Sequence, residues 1–154
     1  MTNREKLEFL KRDFIACLKK LKGNEKPVWG VMDAQQMIEH MGEAFIAATG
    51  ALNLNLMAPI EKVEAMLAFV MSEKEFKPNT KNVLMGETPA PHKFASMEEA
   101  VLKLEKAVLR FEKHYQTHQE KKEMNPFFGP LNFEQQTQLL HKHAMHHLKQ
   151  FELI

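Results

Sequence analysis

The stretch HKHAMHHLKQF, from His141 to Phe151, contains His141, His143, His146 and His147. Imidazoles at this density can ligate a divalent cation, move protons or form a solvated basic face, depending on where each one points. In a helix, residues four apart lie above one another on the same face. The row Leu139, His143, His147, Phe151 therefore sets two histidines between large apolar side chains, on the stripe expected to face a core. His141 and His146 fall on other faces beside Lys142 and Lys149, where a solvated role is expected. The intervening Lys142, Ala144 and Met145, and the ordinary sequence from Leu148 to Ile154, separate the cluster from a purification tag.

A second pair at the same spacing, His114 and His118, lies on the row Arg110, His114, His118, Lys122. That row is polar throughout and predicts a solvated helix end, so the bare spacing does not identify a site. Two imidazoles need at least a third ligand to hold an ion. His40 is the best candidate, flanked by Met37, Met41 and Ala44. Two readings stay open on pattern alone: three separate core histidines, or one three-histidine site with coordination positions left free. Burying three imidazoles without partners costs several kcal/mol, which favours the second. Zinc and nickel suit three neutral imidazoles, with iron and manganese as further candidates, whereas magnesium and calcium want oxygen. Reference histidine titration places loss of the ion below about pH 6. Ala144 after His143 removes the metalloprotease general base, and no Glu-x-x-His of a di-iron bundle occurs. There is no glycine-rich phosphate loop, Cys-His zinc spacing or nucleophile elbow.

The elements that must position these residues are helices. Leu7, Leu10, Phe14, Cys17, Leu18 and Leu21 predict a helix from Arg4 to Leu21. Asp33 and Gln36 form a capping signature for a second, from residue 33 to 49, carrying Met37, Met41, Ala44, Phe45 and Ala48. Pro59 opens a shorter helix, and EFKPNTKNVLMGETPAPHKF reads as a long connection. The box SMEE, with Val101, Leu104, Val108, Phe111 and Tyr115 behind it, predicts a helix over residues 96–121. EMNPFFGPLN interrupts before Asn132 caps a last helix over 132–152. No strand alternation is visible, so the expected fold is all-α: one domain over residues 1–154, a four-helix bundle with a long crossover.

A net charge of +1 leaves no footprint for nucleic acid or an anionic membrane. No apolar run approaches a membrane span, and the charged N-terminus is not a secretory signal. Lone Cys17 fits a cytoplasmic protein and reads as core rather than nucleophile. The eleven methionines read first as adaptable core filler and second as a binding groove.

The blocks WGVMDAQQMIEH (Trp29 to His40) and NPFFGPLNFEQQTQLLHKHAMHHLKQF (Asn125 to Phe151) resemble the DinB/YfiT-like superfamily, and in particular a small bacterial branch with an NPFFG…HHL.QF ending. The resemblance covers about a quarter of the chain. It implies a four-helix bundle with a divalent metal held by His40, His143 and His147. The chain departs from the pattern at Gln136, where many relatives carry Trp, and at Met145, where they carry an acidic residue. Superfamily members include thiol-dependent transferases, a thiol-dependent isomerase and metal-dependent hydrolases. The implied chemistry is activation of water or of a low-molecular-weight thiol on a small-molecule substrate that the sequence does not identify. NPFFGP and the connection around His92 would line the mouth, with Phe127 and Phe128 as a hydrophobic staple or substrate contacts. Glu39, Glu43 and Gln150 are candidates for orienting an imidazole. The rival is a non-catalytic helical stress or partner-binding module whose metal, if any, is structural, with His92 or Glu43 as the closing ligand. A homodimer through an apolar helix face is also expected.

Overall fold

A computed structural model of the protein describes residues 1–78 and 89–154. Thr2 and Glu5 cap each other reciprocally and open α1 (Asn3–Lys11). The single helix expected here is interrupted at Arg12 (φ −118°, ψ −68°) and continues as α2 (Asp13–Leu18). The break turns no core residue outward, because Leu7, Leu10, Phe14, Leu18 and Leu21 all remain buried. Asp33 and Gln36 form the expected box and start α3 (Ala34–Ala47). Helix α4 (Ile60–Met71) begins directly after Pro59. Residues 79–88 of the long connection expected after α4 lie outside the described residues.

Ser96 accepts the Glu99 amide at 3.1 Å and starts α5 (Met97–Thr117). The Glu99 carboxylate reaches the Ala95 amide, so half of the expected box is realised. Helix α5 stops at Thr117 rather than near residue 121. The Thr117 hydroxyl bonds the Lys113 and His114 carbonyls, and His118 leaves helical geometry at φ −136°, ψ 59°. Asn132 and Gln135 cap α6 (Phe133–Gln150) reciprocally.

The segment before α6 contains an element the sequence did not reveal. Strands β1 (Glu123–Asn125) and β2 (Gly129–Leu131) form an antiparallel hairpin, Glu123 opposite Leu131 and Asn125 opposite Gly129. The Asn125 side chain accepts the Phe127 and Phe128 amides at 2.9 and 3.1 Å, folding the turn. Gly129 leaves it at φ +82°, where a Cβ would stand 2.8 Å from a Val63 methyl. Phe128 packs against a cluster of Val70, Leu131 and Leu139, joining the hairpin to α4 and α6.

Helix α3 lies along α5, and α6 is touched by α1, α3, α4 and β2. The main core gathers Leu10, Phe14, Met37, Met41, Phe45, Leu104, Phe111 and Leu148, with Phe45 edge-on to Phe111 at 5.7 Å. Each such side chain contributes about 1.5–3 kcal/mol on burial. Met37 and Met41 are fully buried, the filler role expected of the methionines, whereas Met1, Met57 and Met71 are exposed; Cys17 packs half-buried against the same core. Among the described residues, no helix is long and apolar enough to cross a membrane.

Candidate metal centre

Packing α3 against α6 brings the three inward histidines together. His40 Nε2 stands 3.0 Å from His143 Nε2, which is 2.9 Å from His147 Nε2. Ligand atoms of all three lie within 4.8 Å of one another. The His40 ring is edge-on to both partners, at 4.9 Å from His143 and 5.3 Å from His147. His147 is buried and the other two half-buried.

The donor count of this cluster is informative. His147 Nδ1 is 2.7 Å from the Gln150 side-chain oxygen, which can only accept, so the proton sits on Nδ1 and Nε2 presents a lone pair. His143 Nε2 then faces two neighbours with one position to offer. It can donate to His147 or accept from His40, but it cannot do both. At least one close nitrogen–nitrogen contact is therefore not a hydrogen bond in the neutral cluster. A shared cation resolves the conflict, since every lone pair then points at positive charge. Tetrahedral zinc with ordinary Zn–N bonds separates its ligand nitrogens by about 3.3 Å. The observed 2.9 and 3.0 Å edges need only a few tenths of an ångström of relaxation, and the His40 and His147 ligand atoms lie within 4.8 Å of each other.

Relief by protonation is blocked. Burial pushes His40 down to about 4, with repulsion from His146 adding to it. Burial likewise takes His147 down to about 3, against the opposing bond to Gln150. Burial and the neighbouring His147 and His40 hold His143 well below the ordinary range. The imidazoles are therefore kept neutral, the form that binds metal.

The suspected closing ligands are engaged elsewhere. His92 Nε2 contacts Asp33 Oδ2 at 2.7 Å, and the Glu43 carboxylate pairs with Lys93. Among the described residues, no fourth His, Cys, Asp or Glu joins the group. Of the residues considered for orienting an imidazole, Gln150 does so. Buried Glu39 instead accepts from the Lys93 and Phe94 amides and from Gln35, tying the connection before α5 to the helix that carries His40.

The solvated histidines need correcting. His141 is half-buried, edge-on to Phe9 at 5.2 Å, and burial lowers it to about 4. His146 is half-buried between Trp29 at 5.2 Å and Phe76 at 6.0 Å, and burial lowers its pKa too. Their faces read as polar, but α1 and α4 cover α6 from either side. Lys142, expected in solvent with them, is 8% exposed. Its ammonium donates to the Ser72 and Lys74 carbonyls beyond α4 and lies 4.6 Å over the Phe69 ring. Neither its row nor its spacing signals this, because the acceptors come from another element.

The control pair behaves partly as expected. His118 is exposed, whereas His114 is mostly covered because the hairpin returns Glu123 to 3.7 Å from its Nε2. Among the described residues, the pair joins no group of three candidate ligands. Comparison with protein-family models, with curated proteins and with solved structures returns no match to this chain.

Proposed function

We propose that the protein is a metal-dependent enzyme of the DinB/YfiT-like kind, a four-helix bundle whose three histidines hold one divalent ion. The observation that carries this reading is the convergence of three neutral Nε2 atoms that cannot all hydrogen-bond to one another. A divalent ion bound there lowers the pKa of water or of a thiol that it coordinates, making a nucleophile near neutral pH. The protein supplies the rest. His40 on one helix and His143 and His147 on another fix the ligand set across a packed interface, so the site is held by the core rather than by a loop. Gln150 fixes the His147 ring. Three imidazoles with no fourth His, Cys, Asp or Glu among the described residues suit a catalytic site, which keeps a position free for a reactant. The reaction class that fits is hydrolysis or thiol S-transfer on a small molecule.

The test is elemental analysis of protein purified without chelator or added metal, alongside His143→Ala. About one equivalent of zinc, nickel, iron or manganese is expected in the native protein and a small fraction of that in the variant. Equal metal in both would refute the site. A metal-replete protein that hydrolyses no ester, amide or phosphoester panel and transfers no thiol would refute the enzyme and leave a structural ion.

A further inference from the structure

Gln150 is 3% exposed, and both ends of its side-chain amide and its main-chain carbonyl are engaged. Its side-chain nitrogen donates to the Trp29 main-chain carbonyl at 3.0 Å, and its own carbonyl accepts from the Val28 amide at 2.8 Å. The side-chain oxygen faces His147 Nδ1 at 2.7 Å. A main-chain carbonyl has no proton to give, so Trp29 can be satisfied only by the NH₂ end of the amide. That fixes which way the amide lies and leaves oxygen, and nothing else, toward His147. The imidazole must then carry its proton on Nδ1 and direct a bare Nε2 at His143, 2.9 Å away.

Gly30, next in the chain, adopts φ +81°, and a Cβ there would stand 3.0 Å from the Gln150 nitrogen. The turn thus brings backbone against the amide where a larger residue would displace it. Trp29 continues outward from this clamp by packing on His146 at 5.2 Å.

We infer that the Trp29 carbonyl sets the tautomer of His147 through Gln150, so that Gln150 is a positioning residue and the Val28–Gly30 segment is part of the metal centre. The inference rests on the metal reading above for its purpose, though not for its geometry. It assigns the loop before α3 a role that neither histidine spacing nor ligand count reveals. Loss of an outer partner of this kind costs about 10–100-fold in metal affinity.

The test uses the full chain, with zinc ion as the probe and two substitutions. Gln150→Leu keeps the volume and removes both functions. Gln150→Glu keeps an acceptor toward His147 while losing the donor to Trp29. Zinc affinity by chelator competition is expected to fall about 10–100-fold in the leucine variant, while the glutamate variant, which can only accept from His147, is expected to keep the Nδ1–H tautomer. Long-range proton–nitrogen NMR on metal-free native protein is expected to show His147 as the Nδ1–H tautomer, and the leucine variant to lose that preference. The native tautomer needs no substitution, so it remains decisive if a variant fails to fold. Finding the Nε2–H tautomer in native protein, or native zinc affinity in a folded leucine variant, overturns the inference. A folded glutamate variant that loses the Nδ1–H tautomer overturns it too. Native protein that binds no more zinc than His143→Ala would instead refute the metal reading, while the tautomer would still decide the role of Gln150.

Discussion

Acidifying metal-free protein should destabilise it through the histidine triad by a calculable amount. Unfolded, each imidazole titrates near 6.5, whereas native His40 titrates near 4 and His147 near 3. Between those limits the unfolded chain binds more protons than the native one, so stability falls as pH falls through the interval and is retained above it. From about pH 7 to about pH 5, each group costs about 2 kcal/mol. His40 and His147 together cost about 4 kcal/mol, and His143, depressed in the same direction, adds to this. That is a large share of the roughly 5–15 kcal/mol that holds a domain folded. The assay is urea denaturation of chelator-stripped protein at several pH values, compared with a variant carrying Gln at positions 40, 143 and 147. His141, depressed to about 4 by burial, is present in both proteins and cancels in the comparison. With slopes of about 1–3 kcal/mol per molar urea, the native midpoint should fall by about 2 M more than the variant's. Parallel pH dependence in the two proteins would refute the claim that burial holds these rings neutral. The same depression revises the sequence-based expectation of metal loss below about pH 6: the ion should be retained to lower pH and be released with acid unfolding.

Three further outcomes follow from single features. His114→Gln with His118→Gln should leave zinc stoichiometry at the native value in elemental analysis, because among the described residues the pair joins no ligand group. Lys142→Met should lower stability by about 1–3 kcal/mol in thermal unfolding, since the Ser72 and Lys74 carbonyls lose their buried donor. Gly50→Ala should cost at least about 1–3 kcal/mol, because φ there is +80° and the added Cβ would meet the Glu123 carboxylate; an unchanged melting temperature would contradict this placement of the hairpin.

What the sequence disclosed about this molecule was local. Asp33 with Gln36 and Asn132 with Gln135 announce helix starts because both halves of each cap lie three residues apart. His143 and His147 were identifiable because Leu139 and Phe151 complete their row within one helix. His40 was legible from its apolar neighbours as the best third ligand, and the packing of α3 on α6 brings it to the other two. The hairpin escaped notice because strands as short as Glu123–Asn125 and Gly129–Leu131 show no alternation. Lys142, His141, His146 and Glu39 were misjudged for one reason: each is covered by an element distant in sequence. The interruption at Arg12 carries no proline or glycine to announce it. The superfamily resemblance named the same three histidines, but the comparisons add no support for it.

His40 and His143 are 103 positions apart, whereas His143 and His147 are one helical turn apart. An isolated terminal helix can present two imidazoles, but the full set exists only while α3 and α6 are in register. An ion held there is a clasp between α3 and α6. It cannot guide the early steps of folding, because closing so long a loop must come first. Its effect falls on escape from the native state: peeling α6 away requires surrendering the ion, so bound metal should slow unfolding and leave refolding rates nearly unchanged. Helix α6 would then exchange its amides in step with the centre of the molecule.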